Sequence, residues 1–265
     1  MIKDITIGQY IPGESYLHKA DPRTKILLTV FLMVILLLIN TYAGFGLFVL
    51  FTLAVIVSSG IPIRYTLKGL KPVMFIIIFT ALINLFSGRG TPIFQFGFLK
   101  ITHEGVDMTI KMTLRLSLLI MTASLLTLTT TPILLTDGIE KLMNPFKRFG
   151  VPSHEIAMMM TIALRFIPTL LEETDKIMKA QAARGADFDT GNLIQRAKSF
   201  IPVLVPLFVS AFRRADELAN AMEARCYRGS EGRTRMKQLQ LTGRDYGISA
   251  VTLIFSAAVL YLQYM

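Results

Sequence analysis

One stretch most limits what this chain can fold into: from Ile26 to Ser59 there is no charged side chain. A soluble core helix needs far fewer apolar residues, whereas roughly 20 in a row suffice to cross a bilayer. The run is interrupted at 40–44, where Asn, Thr and Gly are typical of a turn. It therefore predicts two membrane-spanning helices joined by a short connection.

Three further apolar stretches approach the length of a spanning helix, at 72–86, 114–131 and 248–264. The chain is 52% hydrophobic, in keeping with a lipid solvent. We therefore predict an all-α integral membrane protein with about five transmembrane helices. The segment before Ile26 is polar and the run after it is too long for a signal peptide, so no cleaved targeting segment is expected.

Basic residues between the spans predict the orientation, because Lys and Arg on short loops favour the cytoplasm. The N-terminal segment and the loop at 60–71 are basic, the turn at 40–44 has no charge, and the loop predicted at 87–111 is mixed. The segment 132–247 holds 17 of the 28 Lys and Arg residues, and the tail after it holds none. We predict a multi-pass protein of the bacterial cell membrane with a cytoplasmic N-terminus and an extracellular C-terminus. This bias also accounts for the net charge of +10 without nucleic acid.

Residues 132–247 change from continuously apolar to amphipathic, which predicts two long and one short cytoplasmic coupling helices. Turn signals place them at about 136–146, 153–184 and 193–227. A charged residue and prolines interrupt their apolar stretches and argue against lipid-exposed spans: Arg165, Pro168, Pro202 and Pro206. The predicted division is a membrane domain at 1–131, a cytoplasmic domain at 132–247 and a last span at 248–265.

A short repeat lies within the two long helices, with the same offset at each of its four positions. Asp175, Ala180, Ala183 and Arg184 recur as Asp216, Ala221, Ala224 and Arg225. Both copies fall near helix C-terminal ends, where small residues let a partner approach and an Arg offers a planar fork of donors. The alternative is that each Arg only interacts with its own helix dipole.

These residues resemble a known family. The triplets Ala183-Arg184-Gly185 and Ala224-Arg225-Cys226, with Asp21-Pro22-Arg23-Thr24-Lys25 before the first span, resemble the transmembrane coupling (T) component of energy-coupling factor (ECF) type ABC transporters, the EcfT/CbiQ-like family. The resemblance implies a subunit between two ABC-type ATPases and a small membrane substrate-binding (S) subunit that captures a vitamin or a metal ion. One triplet would dock on each ATPase. Cys226 departs from the usual Gly, a change that concerns how that helix ends rather than whether it docks.

Three consecutive methionines, Met158, Met159 and Met160, form a further candidate contact. Met side chains adapt to irregular partners, so this segment could meet exchangeable substrate-binding subunits. The alternative is ordinary packing between helices.

Catalysis by the chain itself is not expected. His18, His103 and His154 lie on separate segments, there is no metal-binding spacing, and the chain lacks a phosphate-binding Gly-x4-Gly-Lys-Ser/Thr loop. ATP would then be bound by the partner subunits, and no cofactor by this chain.

The rival interpretation is a self-sufficient secondary transporter, with Asn84, Arg115 and the Thr-rich end of the fourth span as its polar groups. Interhelical hydrogen bonding and an interfacial Arg are the alternative explanation of these groups.

Overall fold

The computed structural model describes residues 10–87, 92–96, 99–188, 192–229 and 239–264. It is built almost entirely from helices, which confirms the predicted all-α membrane protein. The helices are α1 Pro22–Leu38, α2 Tyr42–Ser59, α3 Ile63–Lys68, α4 Met74–Ser87, α5 His103–Thr129, α6 Pro132–Met143, α7 Ser153–Ala183, α8 Leu193–Ser199, α9 Ile201–Ala224 and α10 Gly243–Tyr264. Two 3₁₀ turns, Lys71–Val73 and Asn144–Phe149, and two strands, β1 Pro92–Phe96 and β2 Leu99–Thr102, complete the described elements.

The chain divides into two compact units, which we call the membrane unit (Gly8–Gly138 with Gln238–Met265) and the arm unit (Ile139–Lys237). The core of the membrane unit lies between α1, α2, α5 and α10. Its buried side chains are Ile35, Leu36, Ile39, Phe45, Phe48, Leu118 and Val259. Burial of such aliphatic and aromatic groups stabilises the packing of helices whose outer faces remain apolar.

The turn predicted near residue 40 is present. Helix α1 ends at Leu38, and α2 begins at Tyr42 after Thr41. The Thr41 side chain accepts a hydrogen bond from the Gly44 backbone N–H and so caps the new helix. Two helices of 17 and 18 residues result. Helix α1 begins at Pro22, four residues before the uncharged run, and so includes Arg23 and Lys25.

The segment 87–111 was predicted to be a loop, and this was wrong. Strands β1 and β2 pair there as an antiparallel hairpin, and α5 already begins at His103. Thr102 caps α5 by accepting from the Gly105 N–H at 3.1 Å. The first turns of α5 are polar, so the sequence shows no apolar run there. In the structure the Asp107 carboxylate pairs with Lys111 at 2.7 Å and accepts a hydrogen bond from the Tyr42 hydroxyl.

Two helix boundaries after α5 also differ from the sequence prediction. The third predicted helix, 193–227, is two helices that break at Phe200, because Pro202 in the first turn of α9 lacks an N–H to continue α8. The short helix begins at Pro132 rather than Thr136. The Thr131 hydroxyl accepts from the Leu134 N–H there, in the position of a cap.

Among the described residues, six helical segments are long and apolar enough to cross a bilayer. They include α7 and the segment Ile194–Ala224. These were predicted to be cytoplasmic coupling helices, because an Arg and several Pro residues interrupt their apolar stretches. Helix α1, with 17 residues, is just shorter than these segments. The predicted division at 131 and 247 stays a prediction.

Candidate docking ends of the two long helices

Helices α7 and α9 form an antiparallel pair within the arm unit. The Tyr227 hydroxyl donates to Met158 Sδ at 3.0 Å, and Arg214 pairs with Glu173 at 2.6 Å. Further along, Gln181 Nε2 donates to the Pro202 carbonyl at 3.3 Å. Residues early in α7 thus contact residues late in α9, and residues late in α7 contact residues early in α9. This order of contacts shows that the two helices run antiparallel.

This arrangement separates the two repeated triplets. Arg184, at the end of α7, lies beside the start of α9, whereas Arg225, at the end of α9, lies beside the start of α7. About 24 helical residues separate the two levels along α7, and a rise of 1.5 Å per residue makes that roughly 36 Å. The pair therefore carries one arginine at each of its two ends.

The two helix ends have the same backbone structure. Arg184 and Arg225 are the C-cap residues, with φ and ψ of −88° and 5°, and of −91° and 12°. The N–H two residues after each arginine reaches back five positions, from Ala186 to the Gln181 carbonyl and from Tyr227 to the Met222 carbonyl, both at 3.0 Å. This is the hydrogen bond of a Schellman motif.

The residue after each arginine adopts the left-handed conformation that this motif requires. Gly185 has φ of +90° and Cys226 has φ of +55°, the only positive φ of a non-glycine residue in the described part of the chain. The expectation that Cys226 changes how its helix ends was therefore wrong. Closing the helix with the same hydrogen bond outweighs the cost of holding a side chain in this region.

Both triplets are exposed: Ala183, Arg184 and Gly185 at one end, and Ala224, Arg225 and Cys226 at the other. Within the residues that the structure describes, neither guanidinium makes a hydrogen bond or an ion pair, whereas Arg214 of the same helix pair is bonded to Glu173. Two arginines with free donor forks, each presented beside small residues, are suited to a carboxylate or carbonyl cluster on a partner.

The three methionines do not share one environment. Met158 is partly buried and contacts Tyr227, so it belongs to the packing of α7 on α9. Met159 and Met160 are exposed, by 58% and 39%. Only these two can meet a partner directly, and the proposed contact with a substrate-binding subunit stays a prediction.

An apolar stripe on α9 was missed by the sequence reasoning. Its members follow the pattern i, i+3, i+4, i+7, i+8, i+11 and are all exposed: Ile201, Leu204, Val205, Phe208, Val209 and Phe212. The spacing is that of one helical face, so a search for period 3.6 over 201–212 would have found it. We call this set the α9 stripe.

The Asp21–Lys25 motif joins elements of the membrane unit. The Asp21 carboxylate pairs with Arg23 at 2.8 Å, and the Asp21 N–H donates to the Asp245 carboxylate of α10 at 2.7 Å. The buried Lys25 ammonium donates to the carbonyls of His18 and Thr129 and to the Thr130 hydroxyl, at 3.1 to 3.2 Å. The motif thus links the start of α1 to α10 and to the end of α5.

Polar groups assigned to a rival carrier site also serve this packing. Arg115 donates to the Ile39 carbonyl at 2.5 Å and to Asn40 Oδ1 at 2.9 Å, which caps the end of α1. Thr129 bonds within its own helix, and Asn84 lies on α4 without joining them. The described structure does not bring these groups together.

The histidines are also dispersed. His18 lies in the segment before α1, His103 begins α5, and His154 lies in the first turn of α7, 3.1 Å from Glu140. No group of three or more His, Cys, Asp or Glu side chains able to hold a metal occurs in the described part of the chain.

Comparison with known proteins identifies the family. The family model described as "cobalt transport protein", CbiQ, matches residues 13–236. The chain is 66% identical over 265 residues to the energy-coupling factor transporter transmembrane protein EcfT of Ruminiclostridium cellulolyticum, covering 100% of this chain and 99% of that protein. It is 59% identical over 256 residues to the protein of that name from Clostridium kluyveri, covering 96% and 95%. Against that of Bacillus subtilis the identity is 51% over 265 residues, covering 99% and 100%.

The fold and the comparisons together define a membrane subunit of a transporter, with several helices able to cross the bilayer and a pair of long helices with matching ends. The chain belongs to the CbiQ family, as a transmembrane component of energy-coupling factor transporters.

Proposed function

We propose that this chain is the coupling subunit of an ECF-type ABC importer that links two cytoplasmic ATPases to a membrane subunit that binds a vitamin or a metal ion. Opening and closing of the ATPases would move the two ends of the arm pair, and the arm would pass this movement to the substrate-binding subunit. ATP would be bound and hydrolysed by the partners, so the chain itself would need no catalytic residue.

The observation that carries this proposal is the matched pair of helix ends. Each end offers one exposed arginine beside an exposed alanine, and the two ends lie at opposite extremes of an antiparallel pair. A separation of roughly 36 Å favours two partners, or two copies of one partner, over a single small ligand. An arginine that becomes buried when a partner binds often dominates the affinity of an interface.

The orientation follows from the same proposal. ATP is a cytoplasmic substrate, so the arm ends that meet the ATPases must face the cytoplasm. This requirement agrees with the basic character of 132–247 and with a cytoplasmic N-terminus and an extracellular C-terminus.

The α9 stripe supports a contact with an apolar partner. The N-terminal half of α9 exposes aromatic and aliphatic side chains, including Phe208 and Phe212 at 60% and 69%. A substrate-binding subunit that itself lies in the membrane would cover them. To meet Met159 and Met160 as well, it would have to extend along the pair to the Arg225 end, where Met158 contacts Tyr227. Phe208→Ser with Phe212→Ser should then release that subunit but retain the ATPases, and Phe149→Ser, which removes an 83% exposed ring elsewhere, should release neither.

Co-purification tests the ATPase contacts. The tagged chain is expressed with the ATPase and substrate-binding genes, as wild type and as Arg184→Glu, Arg225→Glu and the double variant. Each single change should weaken ATPase recovery and the double change should abolish it, because a carboxylate repels the acceptors that an arginine bonds. Arg213→Glu, an exposed position of α9 outside the triplets, is the matched control. Full ATPase recovery by a folded double variant would return the self-sufficient carrier to first place.

A further inference from the structure

A cavity of about 400 Å³ lies inside the membrane unit, between α1, α2, α5 and α10. It begins where these helices have a common end, at Lys25, Ser58, Thr129 and Arg244. From there it follows the helices inward as far as Leu32, Phe51 and Thr122. On α5 that is about seven residues, or about 10 Å of depth at 1.5 Å per residue.

The polarity of the cavity changes along its depth. Its inner wall is mostly aliphatic and aromatic, with Leu28, Leu32, Phe51, Leu125 and Val251 among its members. At the end where the four helices meet, it carries two cationic side chains, Lys25 and Arg244, and no carboxylate of the described residues lines it. A membrane lipid has the same order, with an apolar chain below a charged headgroup at the interface.

Only one of the two cations is available to a ligand. The Lys25 ammonium already donates to three acceptors, the carbonyls of His18 and Thr129 and the Thr130 hydroxyl. Arg244 is exposed, lies with its guanidinium carbon 5.9 Å from the Tyr16 ring centroid, and has no ion pair among the described residues. The adjacent Asp245 carboxylate is buried and accepts from Thr242 and from the Asp21 N–H, so it does not neutralise Arg244 directly.

We propose that this cavity binds one acyl chain of an anionic phospholipid, whose phosphate lies against Arg244 at the common end of the four helices. The headgroup would be held by the guanidinium and the chain would fill the space between the four helices. The site is distinct from the arm ends and from the α9 stripe, and it does not depend on the coupling role.

Gly247 allows the cavity to be narrowed without a steric clash. It lines the cavity in α10, and a Cβ added there would meet no atom within 4 Å. Gly247→Leu therefore adds bulk to the cavity lining and also removes a residue unfavourable to helices. Gly46→Leu is the matched control, because Gly46 is also helical with open space around its Cβ position but lies outside the cavity lining.

The test uses the full-length chain in vesicles of phosphatidylcholine and phosphatidylglycerol, mixed at roughly 3:1 so that the membrane is mildly anionic. The chain is re-extracted in mild detergent, freed of loose lipid by gel filtration, and its retained phospholipids are quantified by mass spectrometry. Wild type and Gly46→Leu should retain phosphatidylglycerol, and Gly247→Leu should lose at least about half of it. Arg244→Gln should lose the preference for phosphatidylglycerol over phosphatidylcholine, whereas Arg64→Gln, which removes an exposed cation outside the lining, should keep it.

Two results would overturn the proposal. Equal lipid retention by wild type and Gly247→Leu would show that the tightly held lipid lies elsewhere. An unaltered headgroup preference in Arg244→Gln would show that this guanidinium does not bind the phosphate. Circular dichroism of each variant establishes that it is folded, so neither result can be attributed to loss of structure.

Discussion

Gly185 and Cys226 occupy the same left-handed position, just past the ends of α7 and α9, although only one of them is a glycine. In both places the next N–H bonds at 3.0 Å to a carbonyl of the last helical turn, from Ala186 to Gln181 and from Tyr227 to Met222. The sequence repeat is thus also a repeat of backbone structure, and the arginine before each left-handed residue is presented in the same way.

The first prediction concerns Cys226. Cys226→Gly should keep the arm fold and ATPase recovery, and should leave the melting temperature unchanged or slightly higher, because glycine adopts positive φ without a Cβ clash. Cys226→Val should lower stability by about 1–2 kcal/mol, since a β-branched side chain fits this region poorly. Circular dichroism melts in detergent measure both.

Cys226→Ser separates loss of the thiol from the conformational effect and should behave like wild type. If Cys226→Gly melted below wild type, the thiol would have to make a contact of its own, contrary to the equivalence with Gly185.

The second prediction uses Cys226 as a marker of orientation, because it is the chain's single cysteine and it is exposed. A membrane-impermeant maleimide should label it in inside-out vesicles and not in intact cells, and bound ATPases should slow the labelling. As a control, Ala43→Cys in a Cys226→Gly background places the thiol in the first turn of α2, where labelling should come from outside only. Labelling of Cys226 from outside would exclude the proposed orientation.

The third prediction concerns Lys25, whose side chain is buried and bonded to His18, Thr129 and Thr130. Lys25→Met removes the donor and leaves buried acceptors without a partner, which typically costs about 1–3 kcal/mol. Thermal melting of the purified chain should show the loss. Lys19→Met is the control, because Lys19 pairs with the exposed Glu14 and its removal should change little. Equal melting of the two variants would contradict the structural role of Lys25.

The fourth prediction concerns pH and His18. Burial lowers the pKa of the His18 imidazole; the hydrogen bond to the Ile11 carbonyl opposes this shift and the charge of Lys25 adds to it. The 3.1 Å contact with a carbonyl requires Nε2 to donate, so the neutral ring accepts from the Ser15 hydroxyl at Nδ1. The native segment before α1 therefore favours the uncharged ring.

The sign follows from proton binding in the two states. Below the ordinary pKa of 6.5 the unfolded segment takes up a proton before the folded one, so stability falls as the pH drops from about 6.5 through the lowered native pKa. Hydrogen exchange over residues 10–20, corrected for intrinsic rates, should be faster at pH 5.5 than at pH 7.5. His18→Gln, which cannot titrate, should show no such change, and an equal change in both proteins would exclude His18 as the cause.

Sequence reasoning succeeded where the signal was long and local. The uncharged run from Ile26 and the turn at Asn40 predicted α1 and α2, and the predicted end of the second arm helix at 184 is one residue from the end of α7. It failed where polar residues occur inside a helix, as at His103 and Asp107 of α5, and where Pro202 divides one periodic segment into two.

The candidate site was predictable only in part. The residues of both triplets could be named from the repeat, but their placement at opposite ends depends on contacts between α7 and α9, such as Glu173 with Arg214. These two residues are far apart in the chain and their pairing has no local signature. The left-handed conformation of Cys226 is likewise a property of the helix end, which its residue type alone does not indicate.

Photocrosslinking tests the central claim, two ATPases on two arm ends, most directly. Benzoylphenylalanine is placed at the exposed positions Ala183 and Ala224, singly and together, with the exposed Glu172 of α7, about midway between the two ends, as control. Each single position should give a product of one chain with one ATPase, the double position should add a product of one chain with two ATPases, and Glu172 should give neither. If both ends failed to crosslink in an assembled complex, or reached only the substrate-binding subunit, the arm ends would not be ATPase anchors.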